Sequence, residues 1–132
     1  MTASACPSSC SNGQAMTRYR ARSDTIQMFM GAASIPNIQQ DIMTNGPVQA
    51  AFDIYSDLDY YKSGVYQHTS GGFVAGHAVK IIGWGVDSSS GLPYWVAHNS
   101  WGTGWGMNGL FWIKRGSNEA GIESLVMSAK PL

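Results

Sequence analysis

Three residues carry the most chemistry for their spacing: His77, Asn99 and Trp101. His77 heads the run Gly76-His77-Ala78-Val79-Lys80-Ile81-Ile82-Gly83-Trp84-Gly85, which puts a histidine at the start of a half-buried strand. An imidazole acts as a base only when a second group fixes its tautomer and ring plane. The amide carbonyl of Asn99, in Asn99-Ser100-Trp101-Gly102, is suited to that, and a neighbouring Trp would keep water off the hydrogen bond. Other chemistries fare worse. Cys6 and Cys10 have a plausible spacing for metal ligands, but His68, His77 and His98 stand nine and twenty-one residues apart, not three to five. No metal and no cofactor is expected. Ser100 lies near His98 without the Gly-x-Ser-x-Gly turn that a serine nucleophile needs. Gly104-Trp105-Gly106-Met107-Asn108-Gly109 satisfies a dinucleotide-binding pattern literally. A strand-like run, Leu110–Lys114, follows where that motif requires a helix, so a tight glycine hairpin is expected instead.

The elements that must position these groups follow from the periodicity. Residues 1–33 are polar and irregular, with no clear strand partner. A short helix opens near Ser34-Ile35-Pro36-Asn37, with Ser34 or Asn37 as cap, and ends at Asn45-Gly46-Pro47. From Val48 the period changes to two, and further strands are expected at Ala78–Trp84, Tyr94–His98, Leu110–Lys114 and Ile122–Met127, separated by Gly and Ser clusters. One helix followed by five or more short strands predicts an α+β fold dominated by an antiparallel sheet or small barrel.

Composition bounds the function. With 132 residues there is room for a single domain, 1–132. Eight basic side chains balance eight acidic ones, which excludes the basic excess of a nucleic-acid or membrane-surface binder. No apolar run is long enough to span a membrane, and no apolar stretch near the N-terminus marks a signal peptide. Apolar residues at 44% suffice for a core, while charged residues are only 12%, about half the usual ~25%. So little charge implies a face covered by something else.

The segments GHAVKIIGWG and PYWVAHNSWGTGWGMNG resemble the histidine and asparagine blocks of papain-family cysteine peptidases. NGPVQAAFDIYSD, YKSGVYQH and AGIES narrow the resemblance to the cathepsin B-like branch, and it runs from about Cys6 to the C-terminus. The resemblance implies the C-terminal lobe of a papain-like fold. His77 would be the general base and acid, Asn99 its orienter, and Trp101 the cover of their hydrogen bond and part of the cleft wall. Ala78 and Leu125 would line the pocket for the second residue before the scissile bond, with an apolar preference because Leu stands where some relatives carry an acid. The family works mostly in lysosome-like or secreted settings.

The departure is the nucleophile. The family Cys sits in a Q-x-x-C-G-S-C-W type segment opening a long helix, ~130–150 residues before the histidine. Cys10 is 67 residues before His77, with no Trp and no helix after it. Cys6 and Cys10 instead resemble a Cys-Pro-x-x-Cys stretch whose cysteines, in cathepsin B-like enzymes, pair with upstream partners absent from this sequence. The reading is therefore a right lobe holding base and orienter but no nucleophile, not competent in hydrolysis alone. Its partners would be a peptide or protein substrate and a Cys-bearing left lobe or another covering protein. The alternative is a peptidase-derived piece that binds or builds without cutting. Either way the cleft face should be apolar and exposed.

Overall fold

The computed structural model describes residues 7–131; Met1 and Cys6 lie outside them. The first strand is β1 (Gln27–Phe29), followed by the helix α1 (Ile35–Asn45), β2 (Val48–Tyr55) and β3 (Val65–Tyr66). The long β4 (Phe73–Val86), β5 (Pro93–His98), β6 (Leu110–Lys114) and β7 (Leu125–Ser128) complete the chain. Among the described residues these strands form one sheet in the order β1-β7-β2-β4-β5-β6-β3. All pairings are antiparallel except β3 with β6, so the α+β class holds and the sheet is mixed.

Local sequence accounts for the elements. In α1, Pro36 occupies the first turn, where a missing N–H costs nothing, and Gly46 at φ 102° ends the helix while donating to the Ile42 carbonyl at 3.1 Å. Ser34 is the N-cap residue, but its hydroxyl donates to the Met30 carbonyl at 3.0 Å and caps nothing. In β2 the period of two is complete: Val48, Ala50, Phe52 and Ile54 are buried. Their partners in the core are Val79 and Ile81 of β4, Trp95 and Ala97 of β5, Phe111 and Ile113 of β6, and Ile38 of α1.

Three expectations are corrected. The sequence pattern predicts no strand partner within residues 1–33, yet Gln27–Phe29 pairs with β7, setting Phe29 opposite Val126. Three residues are too few to show a period, and the neighbouring backbone supplies the pairing. The strand expected from Ile122 begins at Leu125, because Gly121 (φ 77°) and the residues around it make a turn. That turn is held by Glu123, which is fully buried and accepts from Trp95 Nε1 (3.0 Å), Gly116 N (2.7 Å) and Asn118 N (2.9 Å). The strand expected at Ala78–Trp84 runs from Phe73 to Val86, so His77 lies within it rather than at its head.

Candidate active site

The register of β2 against β4 sets His77 opposite Phe52, with their rings 5.9 Å apart. Asn99 follows the last residue of β5 and is pinned by its own N–H donating to the Gly109 carbonyl at 2.9 Å. Its side chain is buried, 3% exposed, and Oδ1 sits 2.8 Å from His77 Nε2. Which end of the amide faces the imidazole is decided by a second contact: the backbone N–H of Ser100 donates to the same Oδ1 at 2.8 Å. An acceptor at that position requires Nε2 of His77 to carry the hydrogen. The neutral imidazole therefore keeps its lone pair on Nδ1, and no hydrogen bond among the described residues uses that atom.

The aromatic surroundings hold the ring in place. Trp101 lies 5.6 Å from the His77 ring at 31°, so the imidazole has Phe52 and Trp101 as ring neighbours. Trp105 meets Trp101 edge-on at 5.0 Å, packs on Phe111 at 5.5 Å, and donates from Nε1 to the Leu58 carbonyl at 3.3 Å. The loop presenting both tryptophans is the expected glycine hairpin, closed by Gly109 N to the Trp105 carbonyl at 2.8 Å. At Gly106 (φ 57°) an added Cβ would come 2.6 Å from the Leu110 carbonyl, so only glycine fits there.

Ala78 and Leu125 are placed differently. Both stand opposite Ala51, one on each side, in a row across β4, β2 and β7. Directly opposed residues share a face, and successive residues alternate. The row therefore lies on the face away from Phe52 and the His77 ring. On that face a groove of about 750 Å³ passes over Ile26, Pro47, Ala78 and Met127 and reaches Asn99 and Ser100. At the far end of β4, Phe73 and Val74 are 62% and 56% exposed.

The remaining candidates lie elsewhere. Cys10 is exposed in a turn, its Sγ 4.0 Å from the Ala15 carbonyl, and nothing links it to His77 among the described residues. His98 is exposed at the end of β5. His68 stacks on Tyr55 at 3.8 Å and pairs with Asp57 at 3.2 Å. Among the described residues no three His, Cys, Asp or Glu side chains gather as metal ligands. Two contributors leave no mark in the sequence pattern. Phe52 as a ring neighbour of His77 is visible only once the β2–β4 register is known. The Asp57 side chain, only 16% exposed, collects Tyr66 Oη (2.7 Å), Thr69 N (2.9 Å), Ser70 N (3.2 Å) and His68 Nδ1. Its partial burial alone would raise its pKa, yet these donors outweigh that and hold the carboxyl at about 2.

Comparison with known proteins decides the lineage. The description "Papain family cysteine protease" matches residues 2–130. The chain belongs to the papain family. Within it, the relatives are of the cathepsin B-like branch. The chain is 45% identical over 125 residues to the gut-specific cysteine proteinase of Caenorhabditis elegans, covering 95% of this chain and 37% of that protein. It is 50% identical over 97 residues to cathepsin B-like cysteine proteinase 5 of the same organism, covering 74% and 28% respectively. The fold superposes on proCathepsin B S9 from Trypanosoma congolense with a TM-score of 0.84 and 38% identity, over 96% of this chain and 42% of that one. The chain thus spans little more than a third of the length of such relatives, and corresponds to their C-terminal part.

Proposed function

We propose that this chain supplies the base and its orienter for peptide-bond hydrolysis by a cathepsin B-like cysteine peptidase, with the thiol carried on polypeptide outside this sequence. The observation that carries the reading is the 2.8 Å contact from His77 Nε2 to Asn99 Oδ1, whose acceptor end is fixed by Ser100 N–H. That contact leaves Nδ1 as the basic atom. A cysteine thiol brought to Nδ1 would give up its proton there, forming a thiolate–imidazolium pair. The thiolate attacks the peptide carbonyl carbon and the C–N bond breaks. The Nδ1 proton leaves with the amine, so a thioester remains. His77 then takes a proton from water as the oxygen attacks the thioester, and returns it to the thiolate. Asn99 keeps the ring in plane through both halves. Trp101 shields the Nε2–H···Oδ1 bond from competing water. Family resemblance assigns Ala78 and Leu125 to the pocket for the second residue before the scissile bond. Leu125 offers no carboxylate to a basic side chain, so an apolar residue is preferred.

The test is reconstitution. The purified chain is mixed with a left lobe bearing the family Cys segment, and cleavage of a fluorogenic peptide is followed. Thiol-sensitive cleavage that needs both pieces, and that falls roughly 10²–10⁴-fold with His77→Ala, is the expected result. A folded complex of the two pieces that forms and does not cut overturns this reading.

A further inference from the structure

We propose that a hollow between α1 and β1 is a binding site for a primary ammonium group, as a lysine side chain or a free amine presents it. The hollow has a volume of about 380 Å³ and is lined by Gln27 and Phe29 of β1 and by Asn37, Gln40, Asp41, Thr44 and Asn45 of α1. It shares no residue with the His77 site or with the groove on the outer sheet face.

Asp41 faces inward beside Ile38 and is only 6% exposed. Its Oδ1 accepts from Asn45 Nδ2 at 2.6 Å, but its Oδ2 is buried with no hydrogen-bond partner among the described residues. A buried carboxylate oxygen is ordinarily paired. The ion pairs among the described residues, Arg22–Asp24 and His68–Asp57, leave Asp41 out. The side chains at the rim are uncharged amides and one hydroxyl, whose oxygens accept but do not repel a cation. One carboxylate among neutral oxygens suits a single positive charge better than a divalent ion, which would draw on several carboxylates. The hollow is also too roomy for a bare ion. Its Phe29 ring offers an apolar wall on which a methylene stem can lie while the charged head reaches Asp41. With Oδ1 already engaged, only one carboxylate oxygen lacks a partner. That disfavours the two-oxygen fork of a guanidinium and favours an ammonium, whose three donors divide among Oδ2 and the amide oxygens.

The probe is n-butylammonium chloride, titrated into the purified 132-residue chain at fixed ionic strength, with KCl and n-butanol as controls. The readout is the ¹H–¹⁵N signals of the side-chain amides of Gln27, Asn37 and Asn45. Saturable shifts with n-butylammonium, and not with either control, are expected. Asp41→Asn keeps an oxygen for Asn45 and should weaken binding at least tenfold. Asn37→Leu, at an exposed rim position whose change leaves the core intact, should weaken it several-fold. Two tripeptides, acetyl-Gly-Lys-Gly-amide and its norleucine counterpart, separate the sources. Tenfold tighter binding of the lysine peptide than of n-butylammonium points to a polypeptide lysine, and equal binding to a free amine. Equal response to KCl, equal response to n-butanol, or unchanged saturation in a folded Asp41→Asn chain overturns the proposal.

Discussion

At the scale of single residues, an amide and an acid have opposite duties. Asn99 holds a ring whose other nitrogen must stay available, so its replacement should leave the fold and remove the tautomer control. In the reconstituted peptidase, Asn99→Ala is expected to lower kcat by about 10²-fold with little change in KM, read from steady-state cleavage. Glu123 instead serves the fold. Itself fully buried, it meets Trp95 Nε1, Gly116 N and Asn118 N, so Glu123→Ala strips three donors of their acceptor, the buried Trp95 Nε1 among them. A loss of about 3–5 kcal/mol is expected, measured as the denaturant midpoint. Glu123→Gln keeps one acceptor and turns an amide against Asn118 N–H, and should cost roughly half as much. His77, Asn99 and Trp101 are legible in the sequence because their chemistry sits in contiguous runs. Glu123 is not, since a lone acid in Gly121-Ile122-Glu123-Ser124 gives no hint that three donors from elsewhere converge on it.

At the scale of elements, period and punctuation reveal α1 and the long strands, and their failures have physical causes. β2 announces itself through four alternating apolar residues, whereas β1 and β3, at three and two residues, are defined by their neighbours' backbones. The start of β4 escapes the pattern because Phe73–Gly76 are exposed on a strand with no alternation there. The 67–72 connection into β4 is organised by Asp57, whose carboxylate accepts from Tyr66, Thr69, Ser70 and His68. Its pKa lies at about 2, below the ordinary value of 3.8, so the folded state holds this proton less tightly than the unfolded chain. The stabilisation is therefore complete above about pH 4 and is lost as pH falls toward 2. Acid unfolding followed by circular dichroism should show that loss, and Asp57→Asn should lower stability at pH 7 while flattening its change between pH 4 and 2. An unchanged slope would mean that the connection is not held by this carboxylate.

At the scale of the whole molecule, the sheet has two unlike faces. The sheet buries one side against α1 and its own core, and leaves on the other the Ala51–Ala78–Leu125 row and the 750 Å³ groove over Ile26, Pro47, Ala78 and Met127. Asn99 reaches that groove too, and its Nδ2 is buried with no partner among the described residues. An apolar groove bordered by an unmet donor fits an occupant that is mostly apolar and offers one acceptor, as a helix end or extended backbone does. If a left lobe fills it, the two pieces stabilise each other by mass action. At a left-lobe concentration 100 times its Kd the gain is about 2.7 kcal/mol. For a chain of this size that raises Tm by on the order of 10 °C. The rise should grow with the logarithm of lobe concentration and vanish when Ala78 is replaced by Glu, which sets a charge on the groove floor without touching the His77 ring. A Tm indifferent to the lobe, or a rise that survives Ala78→Glu, would place the covering partner on another face.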